Sequence, residues 1–282
     1  MLKEKIAQRL REIEHAFIDA PLVAGATWQS VKAPEPMAEL HLVTFDIDLE
    51  GETRLGVYRE ALKPNLPWAD EHFTKERVSG DPINPGTTWK IWPYARSADT
   101  HRRPGEKDPQ FDHSYAERYW PKFAGKTEGG ILETTPPESE ARWGYRFPYG
   151  DLDDLVEVLL EDPLTRQAYL PVWFPEDLGA ARLKKRVPCS LGYHFLRRED
   201  RLHVLYPMRS CDYIRHFRDD VYLTIRLLLW VLEQCQLADP RNWDHVTPGR
   251  FTMIISSLHM FQRDRELLVR RLEREYEREV AK

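Results

Sequence analysis

The sequence predicts a single domain of the α/β or α+β fold class. Hydrophobic residues alternate with polar ones over residues 38–48, which is typical of a half-buried strand. A strongly apolar helical pattern covers residues 216–236 and indicates a helix in the core. Strand-like and helix-like segments are mixed without a regular βαβ order or an internal repeat. With 282 residues, of which 41% are hydrophobic, the chain is long enough to form a single domain over residues 1–282.

The first half of the chain is periodic only near its beginning. An amphipathic helix is predicted over residues 3–19, where apolar residues recur at helical spacing, at Ile6, Leu10, Ile13 and Phe17. Residues 53–59 are expected to form a hairpin partner for the strand over 38–48. Residues 60–150 are rich in proline, glycine, tryptophan and tyrosine, so we expect irregular structure there, with short helices around 68–79 and 113–121.

The second half has stronger periodicity. A helix is predicted to begin after Asp151, which is a favourable capping residue, and to end at Pro163. The sequence predicts strands over 167–174, 188–196, 201–208 and 251–258, a core helix over 216–236 and a charged helix over 262–281. The stronger periodicity begins at residue 151. We therefore divide the domain into a first part over 1–150 with an irregular segment, a core over 151–265 and a terminal helix over 266–282.

Composition excludes several classes of partner. The net charge is −5, and the 41 basic residues are interleaved with acidic ones, so no nucleic-acid partner is expected. The N-terminus does not have the pattern of a signal peptide, and the longest apolar run, Leu227 to Leu232, is too short to cross a membrane. Three cysteines do not make a disulfide framework, which favours a reducing, cytoplasmic location.

The first candidate for chemistry is Cys189, which lies at the start of a predicted strand. An isolated free cysteine is more often a small buried residue, but further along the chain comes Arg209-Ser210-Cys211-Asp212. An arginine next to a thiol lowers the pKa of that thiol towards the reactive thiolate, and it can also bind a phosphate. Arg166 lies at a predicted helix-to-strand turn, where a solvated side chain is the usual outcome.

Other candidates also have ordinary structural interpretations. Asp219 and Asp220 begin the apolar helix, where either carboxylate can act as a helix cap. His259 ends a strand, and a single histidine is more often a hydrogen-bonded core residue than a catalytic one. No metal-binding spacing, phosphate-binding glycine loop, dinucleotide-binding glycine pattern or Gly-x-Ser-x-Gly motif is present, so no metal is expected.

The order of these motifs resembles the thymidylate synthase superfamily over about residues 150–265. The matching order is Asp-Pro-x-x-Arg, a strand with Trp173, Pro-Cys, Arg-Ser-x-Asp, an apolar helix and Ser-x-His. The resemblance implies a mixed sheet with surrounding helices and a homodimer formed through that sheet. It also implies a pyrimidine nucleoside monophosphate as substrate and 5,10-methylenetetrahydrofolate as cofactor. It also implies roles for residues, with Cys189 attacking carbon 6 of the pyrimidine, Arg209 and Ser210 binding phosphate, and Arg166 binding it across the dimer. Asp212, Trp89 and Trp92 would contact the folate, and His259 the sugar.

Asp220 departs from the thymidylate synthases, which have an asparagine at the corresponding position. Cytosine has an amino donor at N4 and a ring nitrogen N3 that can take up a proton, and a carboxylate matches both. Against uracil, the same carboxylate would face the acceptor O4, and a mispaired buried polar group costs about 1–3 kcal/mol. An aspartate here is typical of the cytidylate hydroxymethylases, so the sequence is similar to that branch.

The product is expected to be a 5-hydroxymethylcytidylate. After His259 only 23 residues remain, where thymidylate synthases have a longer tail that closes over the site, and a shorter lid favours attack by water over hydride transfer. Methylation of dCMP or dUMP is the alternative within the family. A non-catalytic nucleotide-binding homologue is the alternative from another class.

Smaller departures leave two choices open. Gln167, Ser190 and Phe261 occupy positions where the family commonly has an arginine, a histidine and a tyrosine that assists the sugar contact. Since Ser210 and Arg166 match the deoxynucleotide enzymes, dCMP is expected to be preferred over CMP. The glutamate that relays protons should lie in the helix near 68–79, where both Glu71 and Glu76 qualify.

Overall fold

The structure, a computed structural model, describes residues 1–23, 35–102, 109–122, 124 and 149–280. Its helices are α1 (Leu2–Ala16), α2 (Leu55–Leu62), α3 (Trp68–His72), α4 (Tyr115–Tyr119), α5 (Leu152–Glu161), α6 (Pro175–Arg182), α7 (Arg218–Ala238), α8 (Pro240–Trp243) and α9 (Gln262–Val280). Its strands are β1 (Leu22–Val23), β2 (Met37–Asp48), β3 (His101–Arg102), β4 (Pro109–Gln110), β5 (Tyr169–Pro171), β6 (Gly192–Arg198), β7 (Arg201–Asp212) and β8 (Thr247–Phe261). Short π-helical turns, Phe73–Arg77 and Tyr213–Phe217, follow α3 and precede α7.

One six-stranded sheet organises the fold, in the order β1-β2-β8-β7-β6-β5. β7 and β8 pair in parallel at its centre, and the other neighbouring strands are antiparallel. Buried and partly exposed residues alternate along β7, as expected for a strand with one face in the core. The predicted fold, a mixed sheet with surrounding helices, is therefore confirmed.

The apolar helix α7 packs against β7 and β8. It is buried along most of its length, from Asp219 to Cys235. Together with the π-helical turn before it, the segment Tyr213–Ala238 is long and apolar enough to cross a membrane by length and composition, although 61% of its most apolar stretch is buried inside the protein. Burial of this kind is the property of a core helix, which was the prediction for residues 216–236.

Three predicted elements need correction or extension. Residues 53–59 do not form a strand, because α2 begins at Leu55 and packs its buried Tyr58 and Leu62 against the body. The partner of β2 is instead β8, which is distant in sequence. β7 and β8 also continue four and three residues beyond their predicted carboxyl ends, because the residues there keep their pairing with neighbouring strands. The sequence does not predict the short helix α6, because its hydrophobic residues do not recur at helical spacing.

A buried ion pair connects the irregular first half to the core. Arg118 on α4 donates to both carboxylate oxygens of Asp177 on α6, at 3.1 and 2.7 Å, and each side chain is only 4% exposed. Asp177 also accepts from the backbone N–H of Phe174 at 2.8 Å. Removing one partner of a buried pair leaves the other charge without compensation, which is far more costly than breaking a surface pair.

We therefore expect Asp177→Ala to lower the free energy of unfolding by about 3–5 kcal/mol, as measured by urea denaturation. Arg54→Ala is the control, since Arg54 pairs with Glu52 but is 78% exposed, and pairs in water contribute little to stability. Equal, small losses for both variants would contradict the structural role of the buried pair.

Candidate active site

A cavity of about 470 Å³ opens where β7 and β8 end and α7 begins. Nine of the eleven residues predicted for the site line this cavity, namely Glu76, Trp89, Trp92, Cys189, Arg209, Ser210, Asp212, Asp220 and His259. They come from the carboxyl ends of β7 and β8, the segment just before β6, the start of α7 and the irregular segment after α3. The fold thus brings together residues that are up to 183 positions apart in the sequence.

Cys189 is the accessible thiol of the three. It is partly exposed, whereas Cys211 and Cys235 are buried. The guanidinium of Arg209 lies 3.8 Å from its sulfur, and the hydroxyl of Ser210 lies 3.7 Å from it. Both neighbouring groups are hydrogen-bond donors, so each can interact with the sulfur of Cys189.

The Arg209 side chain is fixed by the backbone that carries the thiol. Its Nε donates to the carbonyl of Pro188 at 2.8 Å, and Nη2 donates to that of Val187 at 3.0 Å. A guanidinium has five N–H donors, so donors beyond these two remain available to a ligand that lies next to Cys189 and Ser210. This arrangement can bind an anionic group within reach of the nucleophile.

Asp219 and Asp220 are both buried at the start of α7, but neither caps the helix. The carboxylate of Asp219 accepts from the backbone N–H and the side-chain amide of Asn65, both at 2.7 Å. Asp220 instead has the thiol of Cys211 at 3.6 Å from its Oδ2. Burial raises the pKa of Asp220 to about 7, with Arg77 opposing the shift and Asp219 adding to it. Asp220 can therefore exchange a proton near neutral pH.

The capping role in this region belongs to Asp212. Its Oδ1 accepts from the backbone N–H groups of Ile214 and Arg215 at 3.0 Å, at the start of the π-helical turn. Its Oδ2 accepts from the Arg215 guanidinium at 2.9 Å, and Arg215 also pairs with Asp264 on α9. Asp212 is therefore a rigid carboxylate at the cavity wall, and Oδ2 keeps one lone pair for a ligand, since the two backbone N–H groups use both of those on Oδ1.

The two candidate glutamates lie in different environments. Glu71 is on the surface, where it pairs with Lys75 at 2.7 Å, and it does not line the cavity. Glu76 lines the cavity, and its Oε1 accepts from the backbone N–H groups of Thr87 and Thr88 at 2.8 Å. A Cβ at Gly86, where φ is +78°, would lie 2.2 Å from that oxygen, so this glycine makes room for the carboxylate.

His72 connects Glu76 to a buried arginine. Arg77 Nε donates to His72 Nε2 at 3.0 Å, so the proton of the neutral ring is on Nδ1, which donates to Glu76 Oε2 at 2.8 Å. Burial lowers the pKa of His72, which keeps the ring neutral. Burial also opposes ionisation of Glu76, but the hydrogen bonds from His72 and Thr88 outweigh it and place the pKa of Glu76 below its usual value. Glu76 is an anion facing the cavity.

The structure adds Arg77 and a set of hydroxyl groups to the site. Arg77 is 3% exposed, its guanidinium lies 4.3 Å from the centre of the Tyr115 ring, and it donates to the hydroxyl of Tyr119 at 3.2 Å. The Tyr115 hydroxyl is 2.9 Å from Ser190 Oγ, which is 2.5 Å from the Tyr206 hydroxyl. In the sequence, Arg77 resembles any charged residue of a short helix, and only the fold shows that it is buried.

Aromatic rings form one wall of the cavity. Trp92 stacks on His216, with ring centres 4.8 Å apart, and it also contacts Trp68, 5.7 Å away. The indole N–H groups of Trp68 and Trp89 are buried without a hydrogen-bond partner among the described residues. Flat apolar surface with unused donors fits a heteroaromatic ligand such as a pterin. No group of three or more metal-binding side chains occurs in the part of the chain that is described.

His259 lies in a row of polar residues that crosses the sheet. It is paired with Asp212 on β7 and with Glu39 on β2. Burial lowers the pKa of His259, so its ring is neutral and can donate one hydrogen bond and accept another. Phe261 follows on the same strand and also lines the cavity.

Arg166 lies outside the cavity. Its side chain is exposed in the turn between α5 and β5, and its carbonyl is 3.1 Å from His194 Nε2. Within one chain, Arg166 is therefore not placed to bind the same ligand as Arg209. Its predicted contact with phosphate would need a second subunit.

Comparison with known proteins gives consistent results. The family model described as thymidylate synthase matches residues 87–282. Over 176 residues, the chain is 25% identical to the thymidylate synthase of Rhodopseudomonas palustris strain BisA53, a match that covers 61% of this chain and 53% of that relative. The match thus spans about half the length of the relative.

Similar folds occur among solved structures. Thermostable thymidylate synthase A from Bacillus subtilis has a TM-score of 0.61 at 14% identity, with 95% of this chain and 84% of that chain covered. Thymidylate synthase from T4 phage has a TM-score of 0.54 at 16% identity, with 90% and 76% covered. At these identities the similarity concerns the fold.

The raised pKa of Asp220 predicts a pH-dependent stability. The folded state binds the Asp220 proton more tightly than the unfolded state, whose pKa is near 3.8, so the contribution of this group falls as pH rises from about 4 to about 7. The Asp220→Asn variant has no such titrating group. The difference between its free energy of unfolding and that of wild type should therefore increase, in favour of the variant, by up to about 4 kcal/mol between pH 4 and pH 8. Asp200→Asn, at an exposed turn, is the control. A pH-independent difference between Asp220→Asn and wild type would contradict the raised pKa.

Proposed function

Because the chain belongs to the thymidylate synthase family, we propose that it transfers a one-carbon unit from 5,10-methylenetetrahydrofolate to carbon 5 of a pyrimidine nucleoside monophosphate. The observation that carries this proposal is the cluster of Cys189, Arg209 and Ser210 in one cavity with the buried Asp220. A nucleophile, an anion-binding group and a base-recognition group are thereby available to a single nucleotide. The folate would supply the carbon unit at the oxidation level of formaldehyde.

In this mechanism Cys189 makes the ring carbon reactive. The thiolate adds to carbon 6, the π bond between carbons 5 and 6 is broken, and carbon 5 becomes nucleophilic enough to attack the one-carbon unit. Loss of the proton on carbon 5 would then allow the bond between the one-carbon unit and the folate nitrogen to break, which leaves an exocyclic methylene on carbon 5. A nucleophile would add to that methylene carbon, and the bond to Cys189 would break as the double bond between carbons 5 and 6 re-forms. Arg209 and Ser210 would hold the phosphate so that carbon 6 lies next to the sulfur.

Glu76 is the better candidate for proton relay, since it lines the cavity and Glu71 does not. As an anion fixed by two backbone N–H groups and His72, it can order water at the reacting carbon without changing its own position. The nearby Tyr115, linked to Ser190 and Tyr206, is a second group through which a proton can pass.

The finer proposal is that the base is cytosine. Asp220 in its protonated form can donate to N3 and accept from the N4 amino group. When the thiolate adds to the ring, N3 becomes more basic and takes the proton, which leaves a carboxylate facing two N–H groups. A pKa of about 7 makes both forms of Asp220 accessible near neutral pH. We further propose dCMP as the preferred substrate, since Ser210 and Arg166 resemble the residues of deoxynucleotide enzymes.

We propose water as the final acceptor, so that the product is 5-hydroxymethyl-dCMP and tetrahydrofolate is released. The support is the position of α9, the segment that follows β8. Arg265 donates to the carbonyls of Ile18 and Ala20, and Arg271 pairs with Glu14 at 2.7 Å. These contacts fix α9 against the N-terminal part, and none of its described residues lines the cavity, so α9 does not shield the site from water.

A homodimer would complete the site with Arg166 from the partner subunit. Several apolar side chains of the sheet are exposed in the single chain, including Leu42, Tyr169 and Ile254. Exposed apolar groups on a sheet support a protein–protein interface there.

The first test is the release of tritium from C5-labelled dCMP, CMP and dUMP in the presence of methylenetetrahydrofolate, with the product identified by mass. We expect release from dCMP and a gain of one CH2O unit. A gain of CH2 would support the methylation alternative, and release from dUMP alone would overturn the role of Asp220.

Two variants sharpen this test. Cys189→Ala should lose more than ~1,000-fold in turnover while nucleotide binding is retained, and unchanged behaviour would support a non-catalytic binding protein. Asp220→Asn should shift the preference from cytidylate towards uridylate, since the amide can donate to O4.

The dimer proposal predicts complementation between inactive subunits. After Arg166→Ala and Cys189→Ala chains are unfolded and refolded together, half of the random dimers are mixed and each has one intact site, so about a quarter of wild-type activity should return. A mixture of Arg209→Ala and Cys189→Ala is the matched control, because both residues belong to one subunit's cavity and no intact site forms. Equal behaviour of the two mixtures would show that Arg166 does not act across the interface.

A further inference from the structure

Glu39 is a carboxylate in the cavity wall that the mechanism above does not use. It lies on β2, directly opposite His259 on β8, and its side chain is 22% exposed. The Ser257 hydroxyl donates to Oε1, and His41 Nε2 lies 3.2 Å from Oε2. No lysine or arginine among the described residues forms an ion pair with it.

The charge and geometry of Glu39 suit a hydroxyl donor. The hydrogen bond from Ser257 keeps the pKa of Glu39 below its usual value in spite of burial, so the group is an anion at neutral pH. A carboxylate has about four lone-pair positions, and Ser257 and His41 use two. Met37 and Phe261, which also line this end of the cavity, present only apolar side-chain atoms. A ligand group here would find one strong acceptor and would be repelled if it were anionic itself.

The register of the sheet gives the distance of Glu39 from Ser210, the predicted phosphate-binding residue. Ser210, which contacts the sulfur of Cys189, is paired with Ser257 on β8, and Ser257 is paired with His41 on β2. Neighbouring strands are separated by about 4.8 Å, and residues along a strand by about 3.4 Å. Glu39, two strands and two residues away, therefore lies about 12 Å from Ser210 at the backbone. That separation is within the length of one nucleotide. The sugar is the part of it that carries hydroxyl donors and no charge.

We propose that Glu39 binds the sugar of the nucleotide, with its carboxylate accepting a hydrogen bond from the 3′-hydroxyl beside His259. This inference rests on the proposed function, because it requires a pyrimidine nucleotide in the cavity. A nucleotide with a phosphate on O3′ would place two negative charges together, so the site selects free mononucleotides and not nucleotides within a polynucleotide.

The test compares dCMP with 2′,3′-dideoxycytidine monophosphate, which lacks the 3′-hydroxyl, by titration calorimetry on the full chain. Wild type should bind dCMP at least tenfold more tightly. Glu39→Ala should weaken dCMP by about 10–100-fold, the usual range for a hydrogen bond to a charged group, and should change the dideoxy analogue less than threefold. Glu39→Gln, which retains the shape of the side chain, should show a smaller loss confined to dCMP.

Glu50→Ala is the matched control, since Glu50 lies just beyond the same strand, pairs with Lys5 and is outside the cavity. Equal losses for dCMP and the dideoxy analogue, or a loss of tetrahydrofolate affinity with unchanged dCMP affinity, would overturn the proposal. If wild type binds dUMP and not dCMP, the same comparison with dideoxyuridine monophosphate tests Glu39 while the cytidylate assignment fails. If no pyrimidine nucleotide binds, both proposals fail.

Discussion

The parallel pairing of β7 with β8 is the constraint on which the site depends. This register places Ser210 beside Ser257 and Asp212 beside His259, and the antiparallel pairing of β8 with β2 extends both rows to His41 and Glu39. A shift of one residue would turn these polar groups towards the core and the apolar residues between them towards the cavity. Since Cys211 and Leu258 are buried next to these residues, the packing of the core opposes such a shift. The energy that stabilises the sheet thus also positions the chemistry.

The cavity also shows how a fold distributes buried charge. Glu76, Asp212 and Asp219 each receive strong donors, from backbone amides and His72, from Arg215, and from Asn65. Among the described residues, Asp220 receives only the weak thiol donor of Cys211. The pKa of Glu76 is therefore below its usual value, whereas burial raises the pKa of Asp219 despite its Asn65 partner and raises the pKa of Asp220 to about 7. Carboxylates that differ in their hydrogen-bond donors thus differ in their chemical properties.

Much of the fold could be predicted because it depends on local patterns. Three elements, the strand β2, the core helix α7 and the charged helix α9, form where the spacing of hydrophobic residues predicts them. The prediction for residues 53–59 was wrong, because a short apolar pattern fits a strand and a helix equally and tertiary contacts select between them. The burial of Arg77 and the position of Glu39 could not be predicted, since both depend on pairing between distant segments. For Glu71 and Glu76, the distinction required the actual geometry of the turn after α3.

That turn has a consequence for how the sequence can change over evolutionary time. In a π-helical turn the chain holds one more residue than an α-helical turn would, so Phe73–Arg77 carries an extra position just before the cavity. Loss of one residue there would restore regular helix and rotate the segment by about 100°, which would turn Glu76 and Arg77 away from their partners. Substitutions at exposed positions such as Thr74 leave the backbone path unchanged. Insertions and deletions should therefore be rarer in this segment than substitutions at its exposed positions.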